Sequence, residues 1–573
     1  MIKKISPFFT FFIPFIFSFL SQRLVIGRGY EFTQNNISII LINYVLWLGI
    51  YLFFISIFKK NYQSIFGFLI FFIIFTLANR YKSKLLNQPV TANDFYLLKN
   101  LLIFLPDIFN QPNIKKELIA SVIALFFFFF AIKKIFYFQN PSIKIKLFLL
   151  PLSIFILTFS FFFPNKFNLL ISDIGINPDV SNPMNSCKQN GALFCFYDDL
   201  KKIKNPAPKN YNQSTIQQIY SNIKLDELYK LDELSTKPNI IVVLSEALWD
   251  PTLLSNVKIT QDPIKNIRPD IKSTLISPTY GGGTANVEFE IATGLSAYFL
   301  TGKIAYSQSI RQDMPSIFSL FEENGYSTAA IHPFVKSTYN RTTVYKHFGV
   351  DKFIGVEDMK NYEKAGPFVS DKSFAQEIIK QLNSTDQPQF IFTLSMQNHF
   401  PFEADRFSEH PIDFSSNLDT ESHKSLQSYI DGINLSDKSY QDLKTEIEKS
   451  KKPTILIVYG DHLPLLGDDF DIYKKTGFYQ DNDLKMYSTP VAIWSNFKTN
   501  LDLPKLISPN FLSLEILKLA QIKPKYQYSF LESIEKTDTV LKQNFSTKLT
   551  KEQLENYELI QYDLVSGKKY GIK

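Results

Sequence analysis

Residues 277–295 read SPTYGGGTANVEFEIATGL, with three successive glycines ahead of Thr284 and a helical pattern after it. Glycine carries no Cβ, so Gly281 to Gly283 permit close approach to the backbone. A helix starting near Thr284 would aim unpaired N–H groups and the positive end of its dipole at an anion, a geometry that suits phosphate. Thr in front of a helix is also the ordinary N-cap, and on this segment alone the N-cap is the stronger reading. No Lys follows the Thr, so this is not a Walker-type phosphate loop.

Outward from that segment, short β-rich runs alternate with helical stretches: 239–244, 327–331, 389–394, 454–459 and 491–494. The alternation predicts an α/β domain with a largely parallel sheet over 235–530, followed by a C-terminal tail at 531–573. In such sheets ligands bind beyond the carboxyl ends of the strands. Glu246 follows the first run, His332 the second, His399 the third, and Asp461 with His462 the fourth. Turns favour Gly, Asn and Pro, so ionisable residues at four strand ends point to a site rather than to folding needs. Two carboxylates and an imidazole suit one divalent cation, Mn²⁺ first, with Mg²⁺ or Zn²⁺ as alternatives. His347, His410, His423 and the pair Asp468 and Asp469 read as ordinary surface or packing residues.

The first 165 residues are of another kind. Apolar segments lie at about 5–20, 37–58, 64–78, 118–132 and 147–163, rich in Phe, Ile and Leu. Only the second reaches the roughly 20 residues of a full membrane span unaided. Together they predict a multi-pass α-helical region of about five spans, with an uncleaved N-terminal anchor because no small-residue cleavage site follows the first. The positive-inside rule puts Lys3, Lys4, Lys59, Lys60, Lys133, Lys134, Lys144 and Lys146 in the cytoplasm, and an odd number of spans then exports everything after 165. Against this, Arg80, Lys82, Lys84, Lys99, Lys115 and Lys116 fall in a loop at 79–117 that the same topology places outside. Residues 166–234 read as a connector with surface helices. In an exported segment, Cys187 and Cys195 suit a short disulfide loop. The formal charge of +7 is scattered, with no dense basic run, which excludes a nucleic-acid-binding face.

The order of LSEALWD (244–250), GGGTANVEFE (281–290), HPFVKSTYNR (332–341), SMQNHFPFE (395–403) and YGDHLP (459–464) resembles the lipoteichoic acid synthase and phosphoglycerol transferase family, within the sulfatase and alkaline phosphatase-like superfamily. The resemblance implies an alkaline phosphatase-like fold on the outer face of the cytoplasmic membrane. It implies metal ligands at Glu246, Thr284, Asp461 and His462, with Thr284 also the nucleophile, and head-group contacts at His332, Tyr339, Arg341 and His399. It further implies phosphatidylglycerol as the donor lipid and an envelope polymer or glycan as the acceptor. Tyr339 stands where the lipoteichoic acid synthases tend to carry Trp, and Phe334 where some members have an acid; both bear on head-group or acceptor preference. The competing readings are a phosphoethanolamine transferase or phosphodiesterase of the same superfamily, and a non-catalytic binding protein that keeps the fold. Loss of a metal ligand would favour the last, and all four are present.

Overall fold

The computed structural model describes residues 12–26, 37–86, 89–91, 112–135, 142–176, 183–201, 207–223, 237–300, 304–467, 470–480 and 483–572 of the chain. Lys3, Lys4, Lys99, Asp468 and Asp469 therefore lie outside the described residues. The chain separates into two units, Met1–Asn205 and Pro206–Lys573.

The first unit is helical: α1 (Phe12–Ile26), α2 (Ile37–Ile57), α3 (Asn61–Leu86), α4 (Pro112–Ile135) and α5 (Ile143–Phe162), followed by α6 (Pro164–Asp173), α7 (Pro183–Asn190) and α8 (Ala192–Lys201). Among the described residues, three helices are long and apolar enough to cross a membrane, Ile37–Ile57, Asn61–Ser83 and Ile143–Phe162, with Phe12–Val25 apolar but shorter. The expected segment at 118–132 falls within α4, which exposes Phe126, Phe127, Phe128 and Phe130. Helix α3 continues to Leu86, so Arg80 and Lys82 sit on its last turns and not in the loop expected from 79.

Trp47 of α2 is the hub of this unit, with ring contacts to Phe68 and Phe72 at 5.7 and 5.5 Å. Buried polar side chains fasten the α7–α8 pair to it. Asn43 donates to the Asn190 carbonyl at 2.8 Å and accepts from the Phe194 N–H at 3.1 Å. Gln22 donates to the Lys188 carbonyl at 3.0 Å and accepts from the Ala192 N–H at 3.2 Å. Between the two helices Gly191 has φ +94°, and a Cβ there would meet the Asn43 amide at 2.4 Å, so only glycine fits. Cys187 and Cys195, one on each helix, are not joined to one another, and the expected disulfide loop is not formed. The expected connector is thus split: α6 to α8 pack with the apolar helices, while α9 (Gln213–Ser221) buries Ile216 and Ile219 in the core of the second unit.

The second unit is built on eight strands, β1 (Asn239–Ser245), β2 (Ile271–Ile276), β3 (Ser327–Ile331), β4 (Lys352–Ile354), β5 (Gln389–Leu394), β6 (Thr454–Gly460), β7 (Ser488–Ser495) and β8 (Leu506–Ile507). Their spatial order is β8-β2-β7-β6-β1-β5-β3-β4. All neighbours pair in parallel except β7, which is antiparallel to both β6 and β2. The central strand β1, NIIVVLS, is buried throughout because helices cover both faces. Side chains alternate across it: Ile240, Val242 and Leu244 face one core, Ile241 and Val243 the other. The first core is closed by α10 (Thr284–Thr293), α11 (Pro509–Leu519) and α12 (Lys551–Val565). Helix α12 corrects the expected tail: it buries Tyr557, Ile560 and Leu564, three and four residues apart, on one face against the sheet's own core.

Candidate functional site

In the parallel register Ser245 pairs with Gly460, Leu244 with Leu394, and Ile331 with Thr393. The residues that follow those strands therefore leave one carboxyl edge of the sheet together. Glu246, Asp461 and His462 are all buried, and each offers a ligand atom within 4.8 Å of the others.

Thr284 follows the loop that leaves the carboxyl end of β2, where Ile276 pairs with Ser488 and the Gly281 N–H donates to the Leu463 carbonyl at 2.9 Å. Gly281, Gly282 and Gly283 have φ of +68°, +144° and +95°, conformations L side chains avoid, and a Cβ on Gly281 would strike Phe470. Gly283 is the N-cap of α10, so Thr284 is the first helical residue and not the cap. Its hydroxyl instead donates to Asp461 Oδ2 at 2.8 Å and lies 3.4 Å from His462 Nε2. The N-cap role favoured by that segment alone is thereby replaced.

The carboxylates are poorly compensated by the protein itself. The Glu246 carboxylate lies 3.9 Å from His462 Nε2, and among the described residues no Lys or Arg forms an ion pair with it. Burial, and next the Asp461 charge, hold the Glu246 carboxyl well above its usual range. Asp461 Oδ1 accepts from the Ala247 and His462 N–H groups, both at 2.9 Å, which leaves Oδ2 turned to Thr284. His462 Nδ1 is occupied by the Leu463 carbonyl at 3.0 Å, freeing Nε2. Two buried carboxylates, a hydroxyl and an imidazole nitrogen pinned through its second nitrogen are a donor set that fits a divalent cation.

His332 and His399 follow the same pattern. Their Nδ1 atoms contact the Leu394 and Phe400 carbonyls at 3.3 and 2.7 Å, so Nε2 is left as an acceptor. Burial is the main cause of lowered pKa in both, His399 falling to about 4, so both rings are neutral at pH 7. Arg341 differs from expectation. Its guanidinium is buried and engaged with Glu288 through Nε at 3.0 Å and through Nη2, leaving Nη1 outside that pair, 3.5 Å from the Thr338 carbonyl. Tyr339, with φ +55°, places its ring 5.2 Å from the Arg341 Cζ.

The strand-end pattern does not mark Glu288. It lies one helical turn after Thr284 on α10 and also accepts from the Tyr345 hydroxyl at 3.0 Å. Its signal was available: a Glu at i+4 from the glycine-loop Thr shares its helix face. Of the other histidines, His347 contacts Asp313 and His410 contacts Asp431, each at 2.7 Å, and His423 stacks on Phe414.

The family model for sulfatases matches residues 238–522. A putative cyclic beta-1,2-glucan modification protein of Rhizobium meliloti is 33% identical over 71% of this chain and 66% of its own length. The lipoteichoic acid synthase of Staphylococcus saprophyticus is 27% identical over 50% of this chain, which spans about half (48%) of that relative. The phosphoglycerol transferase GacH of Streptococcus pyogenes, solved with sn-glycerol-1-phosphate, superposes with a TM-score of 0.54 at 28% identity, covering 64% of this chain and 96% of that one. With its mostly parallel sheet and its Glu, Asp and His at one strand edge, residues 238–522 form a sulfatase-family domain of the alkaline phosphatase-like superfamily, with lipoteichoic acid synthases and a phosphoglycerol transferase among its relatives.

Proposed function

We propose that this chain is a membrane-anchored, metal-dependent phosphoglycerol transferase that takes glycerophosphate from phosphatidylglycerol, holds it on Thr284, and passes it to an envelope glycan or polymer. The observation that carries this reading is the Thr284 hydroxyl, 2.8 Å from Asp461 Oδ2 at the start of a helix preceded by three left-handed glycines. Glu246, Thr284, Asp461 and His462 would hold one divalent cation, with Mn²⁺ favoured. When bound, the cation lowers the pKa of the Thr hydroxyl and neutralises charge on the phosphoryl oxygens.

The chain's own groups supply the remaining steps. Thr284 Oγ1 attacks phosphorus, the bond to the diacylglycerol oxygen breaks, and a glycerophosphoryl-Thr284 ester forms. The N–H groups at the start of α10 face the anion with the positive end of the helix dipole. An acceptor hydroxyl then attacks the phosphorus of that ester, neutral His399 takes its proton at Nε2, and the bond from phosphorus to Thr284 Oγ1 breaks so that Thr284 regains its hydroxyl. Nη1 of Arg341 is the guanidinium atom left to reach the head group, with Tyr339 and His332 beside it. The rhizobial relative's description favours a glycan over a polyglycerolphosphate chain as the acceptor. The positive-inside rule supports a reading in which the Lys-rich ends of the apolar helices are cytoplasmic and the catalytic unit is outside.

The test is incubation of the purified chain and Mn²⁺ with phosphatidylglycerol vesicles, following diacylglycerol release and the mass of the peptide containing Thr284. A glycerophosphate adduct on Thr284 is expected, with at least about a 10³-fold loss of release in Thr284→Ala, as for a removed nucleophile. Equal release by Thr284→Ala would refute the mechanism. An ethanolamine phosphate adduct formed from phosphatidylethanolamine would move the chain to the phosphoethanolamine transferases.

A further inference from the structure

The turn that carries Glu246 is held in an unfavourable conformation from outside the site. Ala247 has φ +53°, a left-handed value that a non-glycine residue adopts only when its surroundings impose it. Its N–H is one of the two donors that fix Asp461 Oδ1. The imposing group is Tyr429, on the helix Thr420–Ser450, fully buried against the other face of the turn. Its hydroxyl lies 3.0 Å from the Ala247 carbonyl and 2.9 Å from the Trp249 carbonyl, and it accepts from the Trp249 N–H at 3.1 Å. The turn also rests on the strand that carries Asp461: a Cβ on Gly460 would lie 2.0 Å from the Leu248 carbonyl oxygen.

We infer that Tyr429 is a positioning residue for the cation site, clamping the strained Glu246–Trp249 turn so that the Ala247 N–H orients Asp461 and the Glu246 carboxylate faces it. The inference rests on the reading of Glu246, Asp461 and His462 as metal ligands. A left-handed Ala is strained, and without the hydroxyl the turn lowers its energy by rotating away. That rotation carries the Ala247 N–H off Asp461 and displaces Glu246, which adjoins it in the chain. Glycine at 247 has no such penalty, so the same turn persists without the clamp.

Mn²⁺ binding to the full chain, read from the electron paramagnetic resonance signal of free Mn²⁺, tests this without turnover. Tyr429→Phe is expected to weaken binding by about 10-fold, the lower end of what loss of a supporting group costs a metal site. The double variant Ala247→Gly/Tyr429→Phe is expected to return to within about threefold of the parent, since relief of strain at 247 removes the need for the clamp. Tyr440→Phe controls for the loss of a tyrosine hydroxyl from the same helix, because its hydroxyl binds Asp270 at 2.8 Å instead. Parent-like binding by Tyr429→Phe, no rescue by glycine, or an equal loss in Tyr440→Phe would each overturn the inference while leaving the metal reading intact. Failure of the parent chain to bind Mn²⁺ would overturn both.

Discussion

The helical unit and the α/β unit both bury polar side chains, and the two use them differently. In the helical unit Asn43 and Gln22 each bridge backbone groups of α7 and α8, so each amide ends with donors and acceptors matched. At the carboxyl edge of the sheet, Glu246 and Asp461 are buried beside one another with His462 and Thr284, and no Lys or Arg closes the group among the described residues. Matched buried polar groups add stability, whereas clustered carboxylates detract from it unless a ligand intervenes. The difference separates polar residues that build the fold from those the fold tolerates for chemistry.

The sharpest way to break this comparison is Glu246→Gln. Burial and Asp461 raise the Glu246 pKa, so its unfavourable contribution is absent below the ordinary carboxyl range and grows as pH rises toward the folded value. Gln keeps the shape and removes the charge. Diacylglycerol release should fall by at least about 10²-fold, as for other electrostatic groups at a reacting centre. In EDTA at pH 8 the variant should melt at the parent's temperature or above it. Added Mn²⁺ should stabilise the parent by about 2.7 kcal/mol at a hundred times its dissociation constant and leave the variant unmoved. A lower melting temperature in EDTA would make Glu246 a structural residue and erase the distinction.

That contrast also explains what could be read in advance. The runs 239–244, 389–394 and 454–459 were legible because strands buried on both faces are continuously apolar. β2, IKSTLI, escaped because its outer residues are only partly buried and its polar positions break the run. The antiparallel direction of β7 was not legible, since direction follows from the path of the connection and not from composition. Glu246, Asp461 and His462 stood out because ionisable residues at strand ends violate turn preferences, and Thr284 because three glycines precede it at the start of a helical pattern. Glu288 and Tyr429 did not, because each sits in a helix whose pattern makes room for it, and their importance arises only from what lies across the gap. Helix α12 reads as a tail because KEQLENYELIQYDLV is mostly polar and only its spacing shows the buried face.

A carboxylate in the α/β unit away from the edge refines the comparison. Glu290 is buried on α10, accepting from the Ser296 hydroxyl at 2.9 Å and the Ala297 N–H at 2.7 Å through one oxygen, while the other has no partner. Burial pushes its pKa up to about 8. Stability from its retained proton is thus fully present below pH 4.5, its unfolded value, and is lost as pH rises through about 8. Glu290→Gln should flatten the stability curve between those limits by up to about 1.4 kcal/mol per pH unit, one proton's worth. Urea unfolding of parent and variant at several pH values measures it. Equal slopes would mean that Glu290 is ionised in the fold and satisfied by groups around it.

The smallest effect is expected where polar groups are already matched. Asn43→Leu keeps volume but strands the Asn190 carbonyl and the Phe194 N–H, which the amide now joins. In membrane proteins such interhelical hydrogen bonds contribute about 0.6–2 kcal/mol each, less than in a dry core because the unfolded helices find other partners. The α7–α8 pair should therefore open more often without leaving its place. Cys187, only 1% exposed on α7, reports this directly. In a Cys195→Ser background its alkylation should quicken by about 5- to 30-fold, the population change that 1–2 kcal/mol produces. Diacylglycerol release per folded molecule should stay within about twofold, because no group in the reaction has been touched. If release collapsed while Cys187 stayed protected, Asn43 would belong with Glu246 as a residue kept for function, and matched hydrogen bonds would no longer mark the structural class.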